Sequence, residues 1–246
     1  MNRIYKKSEL WFSLLWIGIY VFGSGLTDEL SRRLNAPKLV TLNFHAILSL
    51  FAVLWIEKNG LLKKYGLCPP AVKSSKFLYY LPLIFVASHG LWFGVSFEKP
   101  VAETLAHFFS MVLVGFLEEL IFRGFLFKAM CEANLKLAVV VSSLSFGFGH
   151  LVNLINGSGM SVTDNLCQVL VAVAFGFMCV LIFHRGKSLV PCIAVHSAYN
   201  ALGAFSAKTQ FTERETVLIS LVLFAVIVLY TLFLLKSLPK NSGNEN

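Results

Sequence analysis

Three short segments of the sequence carry the residues that could do chemistry. The first, GFLEELIFRGFLF at 115–127, places Glu118, Glu119 and Arg123 within two helical turns of an otherwise apolar stretch. A helix would bring Glu119 and Arg123 onto one face, where residues four apart can pair. Glu118 would then point about 100° away from Glu119, toward another partner. Because one arginine cannot neutralise two carboxylates, Glu118 is the candidate for acid–base chemistry.

The other two segments each contribute a histidine. SFGFGHLVNLING at 145–157 contains His150, and PCIAVHSAYNALGAF at 191–205 contains His196 and Asn200, which share a helix face. A lone histidine in an apolar helix is usually a packing residue, and a Glu–Arg pair can lock two helices without reacting. Only the combination of the three segments favours a site.

Composition indicates that these segments lie in lipid. Hydrophobic residues make up 57% of the 246 residues and charged residues 14%, whereas about a quarter of a soluble domain is charged. Apolar runs of about 20 residues, the length that crosses a ~30 Å hydrocarbon core, recur along the chain. The predicted fold class is therefore all-α, a polytopic membrane protein. About eight transmembrane helices are predicted, at 9–26, 39–56, 77–97, 104–127, 136–155, 165–183, 188–206 and 215–236.

Charge predicts the orientation of the chain. The loops on the side of both termini carry 14 Lys and Arg, and the loops on the other side carry six. Positive residues favour the cytoplasm, so both termini are predicted to be cytoplasmic. The net charge of +8 is then a topology signal, and the bilayer, not a nucleic acid, is the expected partner. The five cysteines form no C-x-x-C pair, which argues against a disulfide framework or a zinc knuckle.

The predicted spans place the candidate residues at similar depths. Four of them lie about 12–20 Å from the predicted cytoplasmic ends of their spans at 1.5 Å per residue: Glu118, His150, His196 and Asn200. Polar side chains in hydrocarbon cluster on interior surfaces because other partners are absent. The sequence therefore predicts one polar cavity within the membrane.

With these residues in view, the chain resembles the CPBP family of intramembrane proteases (CAAX protease and bacteriocin-processing, or Abi). The family signature is an ordered set of three helix motifs, E-E-x-x-x-R, F-x-x-x-H and H-x-x-x-N. It is matched between 104 and 205 by Glu118, Glu119, Arg123, Phe146, His150, His196 and Asn200. The resemblance implies an intramembrane endopeptidase that hydrolyses a peptide bond of a membrane-associated or hydrophobic peptide or protein. It is closest to bacterial members, which implies a multi-pass protein of a bacterial plasma membrane with a site reached from the cytoplasm.

The resemblance, together with the chemistry of the side chains, implies a role for each residue. Glu118 would be the general base that activates water, and His150 would help to hold that water. His196 and Asn200 would donate hydrogen bonds to the developing oxyanion. The remaining signature residues would support the site: Glu119, Arg123 and Phe146.

The sequence leaves the metal open. Glu118, His150 and His196 form a conceivable zinc set, although the H-E-x-x-H spacing that places two ligands on one helical turn is absent. A water activated by Glu118 without metal fits the same residues. No other cofactor is implied.

Two other functions stay open at this point. A non-catalytic membrane scaffold or immunity factor could keep the same residues for structure alone. A proton-coupled transporter would also use intramembrane Glu and His, but no inverted repeat or pair of broken helices is visible. The only aspartates, Asp28 and Asp164, are predicted to lie in loops. This argues against the class of transmembrane proteases that use two aspartates.

The chain is expected to divide into three parts. Residues 1–103 would form the first three transmembrane helices with a cytoplasmic loop, 104–206 the CPBP-type catalytic helical core, and 207–246 the last transmembrane helix and a polar tail. The sequence gives no indication of oligomeric state or of a particular substrate.

Overall fold

The computed structural model describes residues 1–98, 100–156, 159–207 and 211–239, which are mostly helical and include no strand. The end of the predicted polar tail, residues 240–246, lies outside this range. The α-helices are α1 (Asn2–Lys7), α2 (Glu9–Arg33), α3 (Leu39–Lys58), α4 (Leu81–Ala87), α5 (Val101–Glu119), α6 (Lys128–Cys131), α7 (Leu135–Gly149), α8 (Val162–Gly186), α9 (Val190–Leu202) and α10 (Glu213–Ser237). A π-helix, Leu120–Phe127, links α5 to α6, and 3₁₀ turns cover Ser74–Tyr80, Ser88–Phe93, His150–Leu154 and Gly203–Phe205.

Six helical segments in the described part of the chain are long and apolar enough to cross a membrane. They are Glu9–Arg33, Leu39–Lys58, Val101–Cys131, Leu135–Leu154, Val162–Gly186 and Glu213–Ser237. Several begin at a polar N-cap that accepts a backbone N–H, as Ser8 does for α2 and Thr212 for α10. The all-α, polytopic membrane fold is thereby confirmed, and α2 runs seven residues beyond the predicted end at 26.

Two of the eight predicted spans are not continuous helices of membrane-spanning length. Within 77–97 the backbone is left-handed at Leu78, Tyr79 and Tyr80 (φ 48–62°), so α4 is only seven residues long. The predicted span 188–206 contains α9, whose 13 residues extend only about 20 Å. Both segments are largely helical and apolar, and hydropathy does not show where a helix is interrupted or ends early.

The two short segments still cross the bundle, so the chain alternates between two faces. One face, here called the terminal face, holds the start of α2, whose Glu9 pairs with Lys64, and the end of α10, where Ser237 Oγ donates to Lys76 O at 2.6 Å. At the opposite face Val95 and Ser206 form an isolated antiparallel bridge. The N-terminus and the described end of α10 therefore share a face.

Glycines allow the site-bearing helices to pack at backbone distance. A Cβ on Gly115 of α5 would lie 2.4 Å from the backbone nitrogen of Ser197 on α9, and one on Gly147 of α7 would lie 3.0 Å from that of Val173 on α8. Small residues permit such close approach of helices. Ser197 Oγ also donates to Val112 O at 2.8 Å, which ties α9 to α5 at this level.

A cluster of aromatic side chains closes the terminal-face end of the bundle. Phe125 of the π-helix is in ring contact with Phe12 at 5.1 Å, Trp16 at 5.4 Å and Tyr65 at 4.9 Å between centroids. Trp55 stacks on Phe12 at 4.7 Å. All five are at most 7% exposed, so this aromatic cluster is a packed plug without a channel.

Both aspartates lie in helices, which corrects the prediction that they are in loops. Asp28 is in α2, near its end, where Lys38 Nζ approaches it at 2.8 Å, and Asp164 is in the first turn of α8. The turn around Asp28 was expected to be a loop because its residues are polar. They are helical because α2 continues past the apolar stretch into the polar rim of the bundle.

Candidate active site

Two neighbouring glutamates at the end of α5 have different environments. Glu118 borders an internal cavity of about 290 Å³, and 14% of its side chain is exposed. Glu119 is fully buried, on the side of the helix that faces α9. Adjacent helix positions differ by 100°, so one carboxylate faces the cavity and the other faces protein.

Glu119 is the centre of a buried charge cluster. Arg123 Nη1 lies 3.0 Å from Glu119 Oε1, and both side chains are 0% exposed. The guanidinium carbon lies 4.0 Å from the centre of the Phe146 ring, a cation–π contact. Among the described residues no Arg123 nitrogen has hydrogen-bond geometry, so charge attraction and the aromatic ring hold the side chain.

His196 of α9 bridges the two carboxylates. Its Nδ1 lies 2.8 Å from Glu119 Oε1, and its Nε2 lies 3.4 Å from Glu118 Oε2. An ionised carboxylate only accepts hydrogen bonds, so Nδ1 carries the proton that is donated to Glu119. The arrangement fixes the ring with Nε2 directed toward Glu118.

Tyr20 of α2 is a site residue that sequence reasoning missed. Its hydroxyl donates a hydrogen bond of 2.7 Å to Glu118 Oε1, across 98 positions of the chain. The sequence did carry one indication of this role. A tyrosine in the middle of a predicted span needs a polar partner, because its buried hydroxyl must form a hydrogen bond. No motif marks it, and its partner is set by the packing of α2 against α5.

His150 begins the 3₁₀ turn that follows α7, and its ring borders the cavity. Nδ1 lies 3.1 Å from Phe146 O, so this nitrogen donates to the preceding turn. Asn165 Nδ2 donates to His150 O at 2.8 Å and ties the turn to α8. The Nε2 atom is then the nitrogen with an available lone pair.

Asn200 and Phe146 complete the set predicted from the sequence. Both border the main cavity and also a side pocket of about 60 Å³. The Phe146 ring contacts the His150 ring at 5.1 Å and the His196 ring at 5.5 Å, so it forms a wall between them. Gln168 of α8 borders both cavities as well and was not singled out in the sequence.

Three histidines outside the signature motifs lie elsewhere in the bundle: His45, His89 and His107. His45 sits between Ser24 at 3.0 Å and Ser110 at 3.2 Å and links α2, α3 and α5. His89 stacks on Tyr199 with ring centroids 5.1 Å apart. His107 lines a polar hollow at the opposite face.

The side chains of Glu118, His150 and His196 are not arranged as a zinc site. In the described part of the chain, the only three His, Cys, Asp or Glu ligand atoms within 4.8 Å of one another belong to Glu119, Cys179 and Cys192. Glu118, His150 and His196 do not bring one ligand atom each within 4.8 Å of one another.

Fold and site together define a multi-pass membrane protein with a carboxylate- and histidine-lined cavity inside its helical bundle. Residues 100–202 match the family model described as Type II CAAX prenyl endopeptidase Rce1-like. The match confirms the resemblance that the three motifs carry, over the segment from α5 to α9. No curated protein and no solved structure matches the chain at a significant level. The family indicates a protease that acts on a peptide or protein at the membrane.

Proposed function

We propose that the protein is an intramembrane endopeptidase in which Glu118 activates the attacking water. The observation that carries the proposal is the unequal placement of the two glutamates. Glu119 is engaged by Arg123 at 3.0 Å and by His196 at 2.8 Å. Glu118 borders the cavity and has Tyr20 as its hydrogen-bond donor. Only Glu118 can meet a water molecule and a substrate.

The proposed reaction is a general-base hydrolysis. A water molecule on the cavity side of Glu118 gives a proton to the carboxylate and attacks the peptide carbonyl carbon, so that a C–O bond forms. The C–N bond then breaks, and Glu118 returns the proton to the leaving nitrogen. The hydroxyl of Tyr20 holds Oε1, so Oε2 is the oxygen placed to exchange the proton.

His150 and the pair of His196 and Asn200 are assigned to different groups of the substrate. His150 donates through Nδ1 to its own helix, so Nε2 can accept a hydrogen from the attacking water. Asn200 borders both cavities and can donate an amide hydrogen to the carbonyl oxygen as it becomes negative.

His196 can be the second oxyanion donor when it is protonated. Its Nε2 lies 3.4 Å from Glu118 Oε2, and when this nitrogen carries a proton it can turn its hydrogen bond toward an oxyanion that forms beside it. Glu119 then acts as a positioning residue, because it holds the ring through Nδ1.

Comparative peptidomics of cells that carry wild-type protein and Glu118→Gln tests the proposal. Membranes and medium are compared for peptides that change length, with Glu132→Gln as the control, since Glu132 is exposed at the terminal face. We expect processed peptides with the wild type and with Glu132→Gln, and their loss with Glu118→Gln. A Glu118→Gln strain with an unchanged peptide profile and an intact phenotype would instead favour a scaffold or immunity factor.

A further inference from the structure

The catalytic cavity continues into a second polar hollow, here called the vestibule. The vestibule has a volume of about 610 Å³ and shares five wall residues with the cavity: Gly25, Asp28, Lys38, Asn153 and Asn156. Its other walls include Arg32, Asn35, Glu103 and His107. They come from the end of α2, the loop before α3, the start of α5 and the turn after α7. All of these elements lie at the opposite face.

The path from Glu118 toward the terminal face is closed. The π-helix that follows Glu119 is buried along all eight residues. Seven residues after Glu118, about 10 Å along the helix, Phe125 enters the aromatic cluster and is 2% exposed. None of the residues that border the cavity belongs to that cluster. Water and substrate therefore have a polar route from one face only.

The walls of this route suit a polypeptide backbone. Asn153 Nδ2 donates to Gln168 Oε1 at 3.0 Å, and Asn156 Nδ2 donates to Asn153 Oδ1 at 3.0 Å. These carboxamides lead from the vestibule to the cavity and offer both donors and acceptors, as a peptide backbone does. The nearby cations are paired within the wall, Lys38 with Asp28 at 2.8 Å and Arg32 with Glu29 at 2.7 Å. The wall therefore favours an extended, uncharged stretch of chain.

We propose that Glu118 is reached from the extracytoplasmic side, and that the substrate is an exported peptide or an extracytoplasmic segment of a membrane protein. In the sequence, the segments on the side of the two termini hold 14 of the 21 Lys and Arg, against six in the segments on the other side, which favours a cytoplasmic terminal face. The vestibule is then outside. This inference rests on the proposed protease function for its substrate, and it reverses the cytoplasmic access that the family resemblance implies.

Thiol labelling in vesicles of known orientation tests the inference. Gly25, between cavity and vestibule, and Gly149, at the cavity, have no heavy atom within 4 Å of an added Cβ, so Gly25→Cys and Gly149→Cys fit without a clash. The background replaces Cys68, Cys131 and Cys167 by serine and keeps Cys179 and Cys192, which are 0% exposed. Ser74→Cys, exposed near the terminal face, is the matched control.

With a membrane-impermeant maleimide, both cavity variants should react at least 10-fold faster in right-side-out than in inverted vesicles. Ser74→Cys should show the reverse preference. Reaction of Gly25→Cys mainly in inverted vesicles, or in neither kind, would overturn the inference. The labelling needs no turnover, so such a result would leave the protease proposal standing. Conversely, continued peptide processing by the Glu118→Gln protein would refute the proposed protease function and leave the measured accessibility of the cavity unchanged.

Discussion

Nδ1 of His196 lies 2.8 Å from Oε1 of Glu119, the same oxygen that Arg123 approaches at 3.0 Å. One carboxylate oxygen therefore anchors a cation from its own helix and a histidine from α9. The His196 ring, whose Nε2 faces Glu118, is thus held at Nδ1 by Glu119, which does not border the cavity. In the proposed mechanism, positioning and reaction are divided between these two adjacent glutamates.

Glu118→Gln should abolish hydrolysis and leave the amount of folded protein near that of the wild type. The amide keeps the shape of the side chain and can still accept from Tyr20, but it cannot take a proton from water. Single-turnover assays on purified protein, with folded protein measured by size-exclusion chromatography, check both parts. Residual hydrolysis above about 1% of the wild-type rate would argue against Glu118 as the base.

Glu119→Gln or Arg123→Ala should reduce the folded protein itself. Each change leaves the partner buried without the opposite charge of its ion pair, which costs about 3–5 kcal/mol, and both side chains are 0% exposed. Thermal unfolding in detergent, compared with Glu118→Gln, measures the difference. Equal melting temperatures for all three variants would contradict the division of roles between the glutamates.

Asn200→Ala should lower kcat by about 10²–10³-fold with a smaller change in KM. A hydrogen bond to an oxyanion strengthens only as negative charge develops, so its loss affects the transition state more than the bound substrate. Asn43→Ala, which removes a side-chain amide on α3 that donates to Leu39 O of the same helix, is the control. A rise in KM with kcat unchanged would mean that Asn200 binds substrate and does not stabilise the oxyanion.

Tyr20→Phe should reduce kcat about 10–100-fold, because a hydrogen bond to a charged group contributes about 1.5–3 kcal/mol. The ring stays, so packing against its neighbours is kept. Tyr230→Phe removes another buried hydroxyl, one that donates to Phe77 O at 2.9 Å on the terminal-face side, and should leave kcat near the wild-type value. If both variants lost activity equally, the effect would be structural and not specific to Glu118.

Prolonged chelation of purified protein should leave hydrolysis intact, because the donor atoms of Glu118, His150 and His196 do not converge. Elemental analysis of the active protein supplies the second measurement. One stoichiometric zinc that is lost in both His150→Ala and His196→Ala would show that the donors close around a metal. The assignment of Glu118 as a base would then be revised to action beside a metal-bound water.

The sequence predicted the helical segments and their apolar character well, because hydropathy over about 20 residues is a property of composition. It missed the breaks in 77–97, since Leu78, Tyr79 and Tyr80 are as apolar or aromatic as their helical neighbours. Their left-handed backbone directly follows Phe77, whose carbonyl oxygen accepts a hydrogen bond from the Tyr230 hydroxyl of α10. Only Pro82 marked the segment in advance, and a proline near a helix start is also compatible with a regular helix.

The features of the site that depend on residue charge and on spacing within one helix could be predicted from the sequence. The i, i+4 spacing of Glu119 and Arg123 is a local property, and the pair lies at ion-pair distance. Contacts between helices were not accessible in the same way. His196 was expected as an oxyanion donor, but its bond to Glu119 depends on the approach of α9 to α5. Tyr20 lies in a helix that carries no diagnostic motif, and its hydrogen-bond partner, Glu118, is 98 residues away in the chain.

Gly115 has a consequence for how variants of this protein will behave. An added methyl group there would lie 2.4 Å from the Ser197 nitrogen and 2.6 Å from its Cα, so the backbone of α9 would have to move. Ser197 directly follows His196, and such a movement would lengthen the contact with Glu119. In a saturation screen for activity, Gly115 should therefore tolerate substitution as poorly as Glu118, although it has no functional group and does not border the cavity.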